Sequence, residues 1–496
     1  MPQDFKSQAR SGEFNFSNGA TYTGQSVAID GERAVNLFPE KVESGHSKNL
    51  TGYITVGTPG LKLLGTLPDS PGRGLFPGDN RLFAAAGSHV YEMDIRTGAV
   101  LKSASIGFAT TPVDMFANTS DQSNQIFIVS GTQGYIWDGA NITPVVAAVR
   151  GAFLNGYFIA QQPDSNRFNI SSINQGLTWD AADYATKEGA PDRLVAMVAD
   201  HELLWLFGRG TTEVWYDAGA APPAFPFSRY QAAFVEQGCW ASWSVVKLDN
   251  SMFWLGGDAR GAGVVWRAVG FSPARVSNHA LEYAIKTYAE KFTIADAIGY
   301  GYQEDGHSFY VLHFPSADKT WAFDVATGMW HERESWDLVH GIPHATFGRF
   351  HAYTAERHFV QDYRNGKVYT ASTSYYDDAG NPIRRLRSAP HISNELKRMR
   401  HKRLQLDMQV GGASALVDAQ GQPRAPQMMM QFSDDGGFTW KNERWASAGK
   451  PGDYKARVIW RRLGASRDRC YRVISSEPIQ HVWVDAYLDV MPGTGT

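Results

Sequence analysis

An apolar, aromatic-rich strand, a tight polar turn and a second strand ending in Tyr or Trp recur down most of this 496-residue chain. The pairs read Arg81-Leu-Phe-Ala-Ala-Ala then His89-Val-Tyr-Glu-Met-Asp; Gln125-Ile-Phe-Ile-Val then Gly134-Tyr-Ile-Trp-Asp; and Leu203-Leu-Trp-Leu-Phe then Thr212-Glu-Val-Trp-Tyr-Asp. Further on come Ser251-Met-Phe-Trp-Leu then Gly263-Val-Val-Trp-Arg, Ser308-Phe-Tyr-Val-Leu then Lys319-Thr-Trp-Ala-Phe-Asp, and His358-Phe-Val-Gln-Asp then Gly366-Lys-Val-Tyr-Thr. Phe83, Phe127, Phe158, Trp205, Phe253, Tyr310 and Phe359 anchor successive units, roughly 30–57 residues apart and mostly near 47. That is the length of one four-stranded propeller blade. Such a sheet exposes apolar residues on both faces and is unstable alone, so the repeats must stack radially. The sequence predicts an all-β chain: a β-propeller of about six or seven blades, followed by a C-terminal antiparallel β-domain.

The 15 Trp, 21 Tyr, 27 Phe and 49 Gly suit short strands packed face to face and separated by tight turns. The formal charge of −3 gives no whole-molecule attraction for nucleic acid or anionic membrane. Two cysteines, Cys239 and Cys470, are too few for a disulfide scaffold and read as buried small hydrophobes. The start, Met1-Pro-Gln-Asp-Phe-Lys-Ser-Gln-Ala-Arg, lacks the apolar core of a signal peptide, and no apolar run approaches membrane-spanning length. The chain is expected to be made in a cytoplasm and to stay soluble.

Residues 1–30 are polar and without periodicity, which predicts an N-terminal arm, either flexible or paired with a neighbour. The propeller is expected over 31–383. The turn-rich Asp377-Asp-Ala-Gly-Asn-Pro precedes alternating strands such as Leu404-Gln-Leu-Asp-Met-Gln-Val and Val482-Trp-Val-Asp-Ala-Tyr-Leu-Asp-Val, so 384–496 reads as a separate sandwich-like platform domain. The one helix candidate is Asn278-His-Ala-Leu-Glu-Tyr-Ala-Ile-Lys-Thr-Tyr, with Leu281, Ile285 and Tyr288 at i, i+4, i+7 and Ser277 or Asn278 as N-cap. It serves either as packing or as a ledge for a partner.

One local motif occurs twice. Ser433-Asp-Asp435-Gly-Gly437-Phe-Thr439-Trp440 fits Ser-x-Asp-x-Gly-x-Thr-Trp, and Ser172-Ile-Asn174-Gln-Gly176-Leu-Thr178-Trp179 fits it with Asn for Asp. Both resemble the Asp box, a hairpin whose acidic or amide side chain bonds its own turn while the Trp packs underneath. In sialidase-like propellers the motif lies away from catalysis, so Ser433, Asp435, Gly437, Trp440, Asn174, Gly176 and Trp179 are expected to be structural. A glycan-processing propeller would need clustered arginines and a Tyr/Glu pair, which no segment supplies. His340, His344, His351 and His358 crowd one stretch, but their spacing crosses a turn and a strand with no carboxylate or thiolate at ligand spacing, so they read as structural imidazoles. No phosphate-binding loop or nucleophile elbow is present. No catalytic residue, metal or cofactor is expected.

Two basic clusters remain. The first is Arg384, Arg385, Arg387, Lys397, Arg398, Arg400, Lys402 and Arg403, opposed only by Glu395; the second is Lys455, Arg457, Arg461, Arg462, Arg467, Arg469 and Arg472. They could contact phosphates, face an acidic protein ring, or be solvated strand faces.

Several segments together resemble the packaged-DNA stabilisation proteins of short-tailed bacteriophages. They are Arg33-Ala-Val-Asn-Leu-Phe-Pro-Glu with Thr58-Pro-Gly-Leu-Lys; Asp192-Arg-Leu-Val-Ala-Met-Val-Ala-Asp-His-Glu-Leu-Leu-Trp-Leu-Phe-Gly with Thr212-Glu-Val-Trp-Tyr; and Arg457-Val-Ile-Trp-Arg-Arg-Leu-Gly. The order and spacing of all of them carry the likeness. The resemblance implies a non-enzymatic virion protein assembled in the host cytoplasm. It implies a hexameric tail hub, or nozzle, below the portal and adaptor, which closes the head after packaging. Fibres or tailspikes and a needle or tip attach around it, and double-stranded DNA passes through the lumen without sequence-specific binding. The Arg457–Gly464 segment lies inside the second basic cluster, which favours a subunit or adaptor contact there over free solvent; from the two clusters together Arg384, Arg385, Arg398, Arg400, Arg457, Arg461 and Arg462 are the candidate protein-interface residues. The alternative is an Asp-box propeller that binds or hydrolyses glycans, acting as a monomer with an acidic, aromatic-lined pocket on the propeller axis.

Overall fold

The computed structural model describes residues 12–14, 16, 17, 19, 21–43, 52–118, 124–220, 224–257, 263–412, 416–418 and 420–492. Five separate four-stranded antiparallel sheets cover residues 72–105, 113–147, 150–186, 194–235 and 246–275, and a sixth four-stranded unit, at 298–337, continues into a longer sheet. The seventh is made from two distant pieces of chain. Gly348–Thr354, Arg357–Asp362 and Lys367–Ser372 supply three strands, and Gly60–Thr66 adds the outermost, pairing Ser372 with Gly60 and Lys367 with Thr66. These are blades 1 to 7, and the strand at 60–66 closes the ring.

The seven aromatic anchors fall one to a blade, each on the second strand. That strand is covered by sheets on both sides, so its buried residues run consecutively, as Phe127, Ile128 and Val129 do. The rings interlock between blades: Phe127 and Phe158 lie 5.6 Å apart, and Phe253 stacks on Tyr310 at 5.3 Å. On the innermost strand of blade 1 two glycines let neighbouring strands approach closely. A Cβ on Gly72 would sit 2.3 Å from the Asp362 carbonyl oxygen, and one on Gly74 2.9 Å from that of Val113.

The helix His279–Ala289 forms where its spacing places it. The Asn278 side chain accepts from the Leu281 N–H at 2.8 Å, and Leu281 and Ile285 are buried in a cluster with Phe253, Val265 and Tyr310.

The C-terminal strands form two sheets packed face to face. One runs Leu37–Lys41, Tyr53–Gly57, Val482–Pro492, Met399–Met408, Val458–Arg461; the other runs Gly31–Val35, Arg385–Ser388, Asp468–Ser475, Gln427–Ser433, Arg444–Ser447. Between them lie Phe16, Leu404, Met428, Met430, Trp460, Tyr471 and Trp483. Residues 31–57, read from sequence as the start of the propeller, therefore pair with the strands of 385–492. The arm also differs from expectation over its described part. Gly12–Phe14 pairs with the last long strand, Phe16 is 0% exposed in the sandwich core, and Thr21 exchanges hydrogen bonds with Ala34. A single apolar anchor and strands of two or three residues give no readable periodicity, which is why this stretch looks unstructured. Residues 1–11 of the arm lie outside the described residues. On this pairing we propose a sandwich built from both chain ends, with the propeller inserted between them.

Candidate functional surfaces

The axis of the propeller is stoppered at one end. Arg150 begins the innermost strand of blade 3. Its Nε donates to Asp114 on blade 2 at 2.6 Å, its Nη1 donates to the carbonyl and hydroxyl of Ser242, and its guanidinium lies 4.1 Å from the ring centre of Trp243. Ser242 and Trp243 precede blade 5, so one side chain ties three blades together across the opening. The carboxylate neutralises the cation, and the indole face adds a cation–π contact. Above this stopper the connections between blades form a funnel of about 610 Å3.

The sandwich joins the outer edge of blade 6, where Val35 pairs with Glu332 on the blade's outermost strand. Arg33 makes a bidentate pair with Glu332, at 2.8 and 2.6 Å. Asn36, in the left-handed region at φ 52°, donates to the carbonyls of Glu334 and Arg384 at 2.9 Å each and accepts from the Glu334 N–H at 3.1 Å. Asn tolerates that conformation better than other side chains and can satisfy three backbone groups there. A nearby cavity of about 50 Å3 is lined by Tyr302, Glu304 and Arg333, the residue types a sialidase-like site would use. It holds only a few water molecules. Burial pushes the pKa of the Tyr302 hydroxyl well up, outweighing the Arg333 guanidinium, whose charge and hydrogen bond to that hydroxyl act in the opposite direction.

Parts of the two basic clusters meet on one sheet. Met399–Met408 and Val458–Arg461 are neighbouring strands, with Arg403 directly opposite Arg461, and the Lys402 carbonyl accepts the Arg462 N–H. Like charges facing across a strand pair repel. Asp489, paired with Arg403 on its other side and 3.6 Å away, compensates one of them. Arg398, Arg400, Arg457, Arg461 and Arg462 are exposed and form no ion pair among the described residues. Arg385 does not belong with them: it is 1% exposed, turned inward beside Gly57 and His481, and burial lowers its pKa to about 10. Arg384 is half-buried on Glu334 at 2.8 Å. Alternation along Arg385–Ser388 is absent, since every residue of it is buried between neighbours, so sequence offered no sign of which arginines point out.

Both Asp-box segments are turns between strands. Asp435 accepts from the N–H and hydroxyl of Thr439 and from the Ser433 hydroxyl, and these bonds, led by that of the Thr439 hydroxyl, hold its carboxyl well below the usual range. The Ser433 hydroxyl accepts from the Gly437 N–H at 2.8 Å. In the first box Trp179 Nε1 donates to the Gly176 carbonyl at 2.6 Å and the ring packs on Phe127 at 5.5 Å, while Asn174 takes a left-handed φ of 55° and its N–H donates to Gly156. Trp440 is only half-buried, with the Arg472 guanidinium 4.1 Å from its ring. In the histidine-rich stretch, His340 bonds Asp337, His344 bonds Asp318, and His351 and His358 bond each other at 2.9 Å. Cys239 and Cys470 are buried. No described helix is long and apolar enough to cross a membrane.

Two family models match the chain in succession: bacteriophage P22 Gp10, beta-propeller, over residues 15–375, and bacteriophage P22 Gp10, beta-sandwich, over 384–490. No curated protein matches. Among solved structures the chain is similar to the computationally designed Ika8 protein, with a TM-score of 0.40 and 12% identity over 62% of this chain and 99% of that one. It is also similar to the N-terminal domain of Nup159, with a TM-score of 0.38 and 10% identity over 64% of this chain and 95% of that one. Likenesses of that degree carry no argument. The first matched segment takes in the seven blades together with the sandwich strands of residues 31–57, the second takes in the remaining sandwich strands, and since they cover most of the sequence the chain belongs to the bacteriophage P22 Gp10 family of packaged-DNA stabilisation proteins, structural components of the virion.

Proposed function

We propose that this chain is one subunit of a six-membered tail hub that docks beneath the portal and adaptor, closes the filled head, and carries fibres or spikes and a needle or tip around its rim. The observation that carries the reading is family membership over both domains. The ring is assembled in the host cytoplasm, acts without turnover or cofactor, and has a neutral to acidic lumen in keeping with the net charge of −3. Duplex slides most freely past a wall that neutralises no phosphates, because each neutralised phosphate adds counterion-release affinity. With Arg150 across the blade axis, that lumen is the space enclosed by the subunits.

The unpaired arginines of the sandwich are the docking face. Exposed like charges on adjacent strands are best compensated by an acidic protein surface. The double variant Arg461→Glu, Arg462→Glu tests this. Its melting temperature should stay at the wild-type value, because both side chains are exposed, while attachment to the adaptor is lost and packaged heads leak DNA. Normal attachment, or tight and steeply salt-dependent duplex binding by the wild-type ring that the variant loses, would assign these arginines to phosphate contact instead.

A further inference from the structure

Four aromatic rings run in contact from blade 4 onto blade 5. Tyr216 meets Tyr230 edge-on at 6.1 Å, Tyr230 lies 5.4 Å from Phe271, and Phe271 lies 5.8 Å from Trp205. Trp205 is buried beneath, but Tyr216, Tyr230 and Phe271 are each 38–39% exposed, and Val269, two residues before Phe271, is 61% exposed. A contiguous exposed aromatic surface has the composition of an interface centre, and rings already held by one another lose little freedom when covered. Two acids flank it: Glu202, in the turn before the strand of Trp205, and Asp217, directly after Tyr216. Neither forms an ion pair among the described residues.

Across the ring of seven blades, blades 7 and 1 present the reverse chemistry. On the outermost strand of blade 7, Leu63 is 47% exposed next to exposed Lys62; on that of blade 1, Leu101 is 52% exposed between Val100 and exposed Lys102. The turn that leads into the blade 1 strand lies against the blade 7 strand, so closely that a Cβ on Gly98 would sit 2.2 Å from the Leu64 carbonyl oxygen. Exposed Arg96 is in that turn, and Lys62, Arg96 and Lys102 form no ion pair among the described residues. Both faces lie at the same end of the propeller axis: Arg96 and Phe271 occupy the turns between the third and fourth strands of their blades, and Tyr216 and Asp217 end the third strand of blade 4. A closed ring of identical subunits needs two different faces on each chain that fit one another. Aliphatic side chains bury against rings, and unpaired cations meet unpaired acids and ring faces. An outside protein or a nucleic acid would satisfy one face and leave the other, whereas a second copy satisfies both. We propose that the aromatic face of blades 4 and 5 packs against the basic-aliphatic face of blades 7 and 1 of the next copy, forming the subunit contact of the ring. This rests on the reading of the chain as a ring subunit.

Two full-length variants test it, with the copies bound to each portal–adaptor complex counted by mass. Lys62→Glu with Lys102→Glu turns the basic face acidic, and Glu202→Lys with Tyr230→Lys turns the aromatic face basic. All four side chains are exposed, so melting temperatures should stay near the wild-type value. Each variant alone should lose the complete ring, because every subunit contact then sets like charges against each other. Mixing the two should restore it with the variants alternating, since each contact again joins opposite charges. A complete ring from either variant alone, or a mixture that does not assemble, overturns the proposal. So does an intact ring that has lost only its fibres or spikes, which would give these faces to another partner. A wild-type chain that forms no ring would overturn the hub reading itself, and this contact with it.

Discussion

Arg150 lies 4.1 Å over the indole ring of Trp243 although the whole of blade 4 separates their strands. This contact, with the Asp114 carboxylate beside it at 2.6 Å, makes the middle of the propeller a cross-linked plug. Both partners of the ion pair are nearly buried, with side-chain exposures of 7% and 12%. Removing one charge leaves the other desolvated. Arg150→Met should cost about 3 kcal/mol in denaturant unfolding, and Arg150→Met combined with Asp114→Asn should recover part of that loss. A double variant as unstable as the sum of the two singles would mean that the pair is not coupled.

The N-terminal segment is a structural member of the sandwich. Phe16 is fully buried 6.4 Å from Trp483, and its carbonyl accepts from Arg387 Nε at 2.6 Å. Phe16→Ala should lower stability by about 3–4 kcal/mol through the cavity it leaves. Calorimetry of the isolated chain checks this; a variant as stable as wild type would show that this segment packs elsewhere.

Acid should weaken the sandwich through His401. The ring is buried with Nδ1 beside the Tyr471 hydroxyl at 2.9 Å and Nε2 beside the Ser466 hydroxyl at 3.0 Å. Burial, and then the Arg469 cation, lower its pKa to about 3. The unfolded state takes up a proton below about pH 6.5 that the folded state refuses, so stability falls as pH falls through that value. By pH 5 this one group should remove about 2 kcal/mol. Unfolding midpoints at pH 7.5 and pH 5 should therefore converge by that amount in His401→Gln, and an unchanged pH dependence would exclude His401 as the cause.

The propeller was legible because blade structure repeats: Phe83, Phe127, Phe158, Trp205, Phe253, Tyr310 and Phe359 mark seven second strands, each spaced by the length of its own blade. Ring closure was not, because the pairing of Lys367 with Thr66 joins segments far apart in sequence and leaves no local trace. For the same reason Phe16 could not be placed from its polar surroundings. The arginines were legible as clusters but not as a face. Arg403 and Arg461 meet only across a strand pair, and Arg385 and Arg387 turn inward, the latter onto Glu32. The two Asp-box tryptophans sit differently although their motifs match: Trp179 packs on Phe127 at 5.5 Å, whereas Trp440 is half-buried with the Arg472 guanidinium 4.1 Å from its ring. Arg150 carried no signal at all, since its partners Asp114, Ser242 and Trp243 are distant from it in sequence.

The central claim is tested most directly by a reconstruction of the intact virion at its tail. The account predicts six copies of this chain around the channel, with duplex density in the space between subunits, the Arg150 contact intact in every blade ring, and the Arg461 and Arg462 face against the adaptor. A copy number other than six, or DNA density running through a propeller axis, would contradict it.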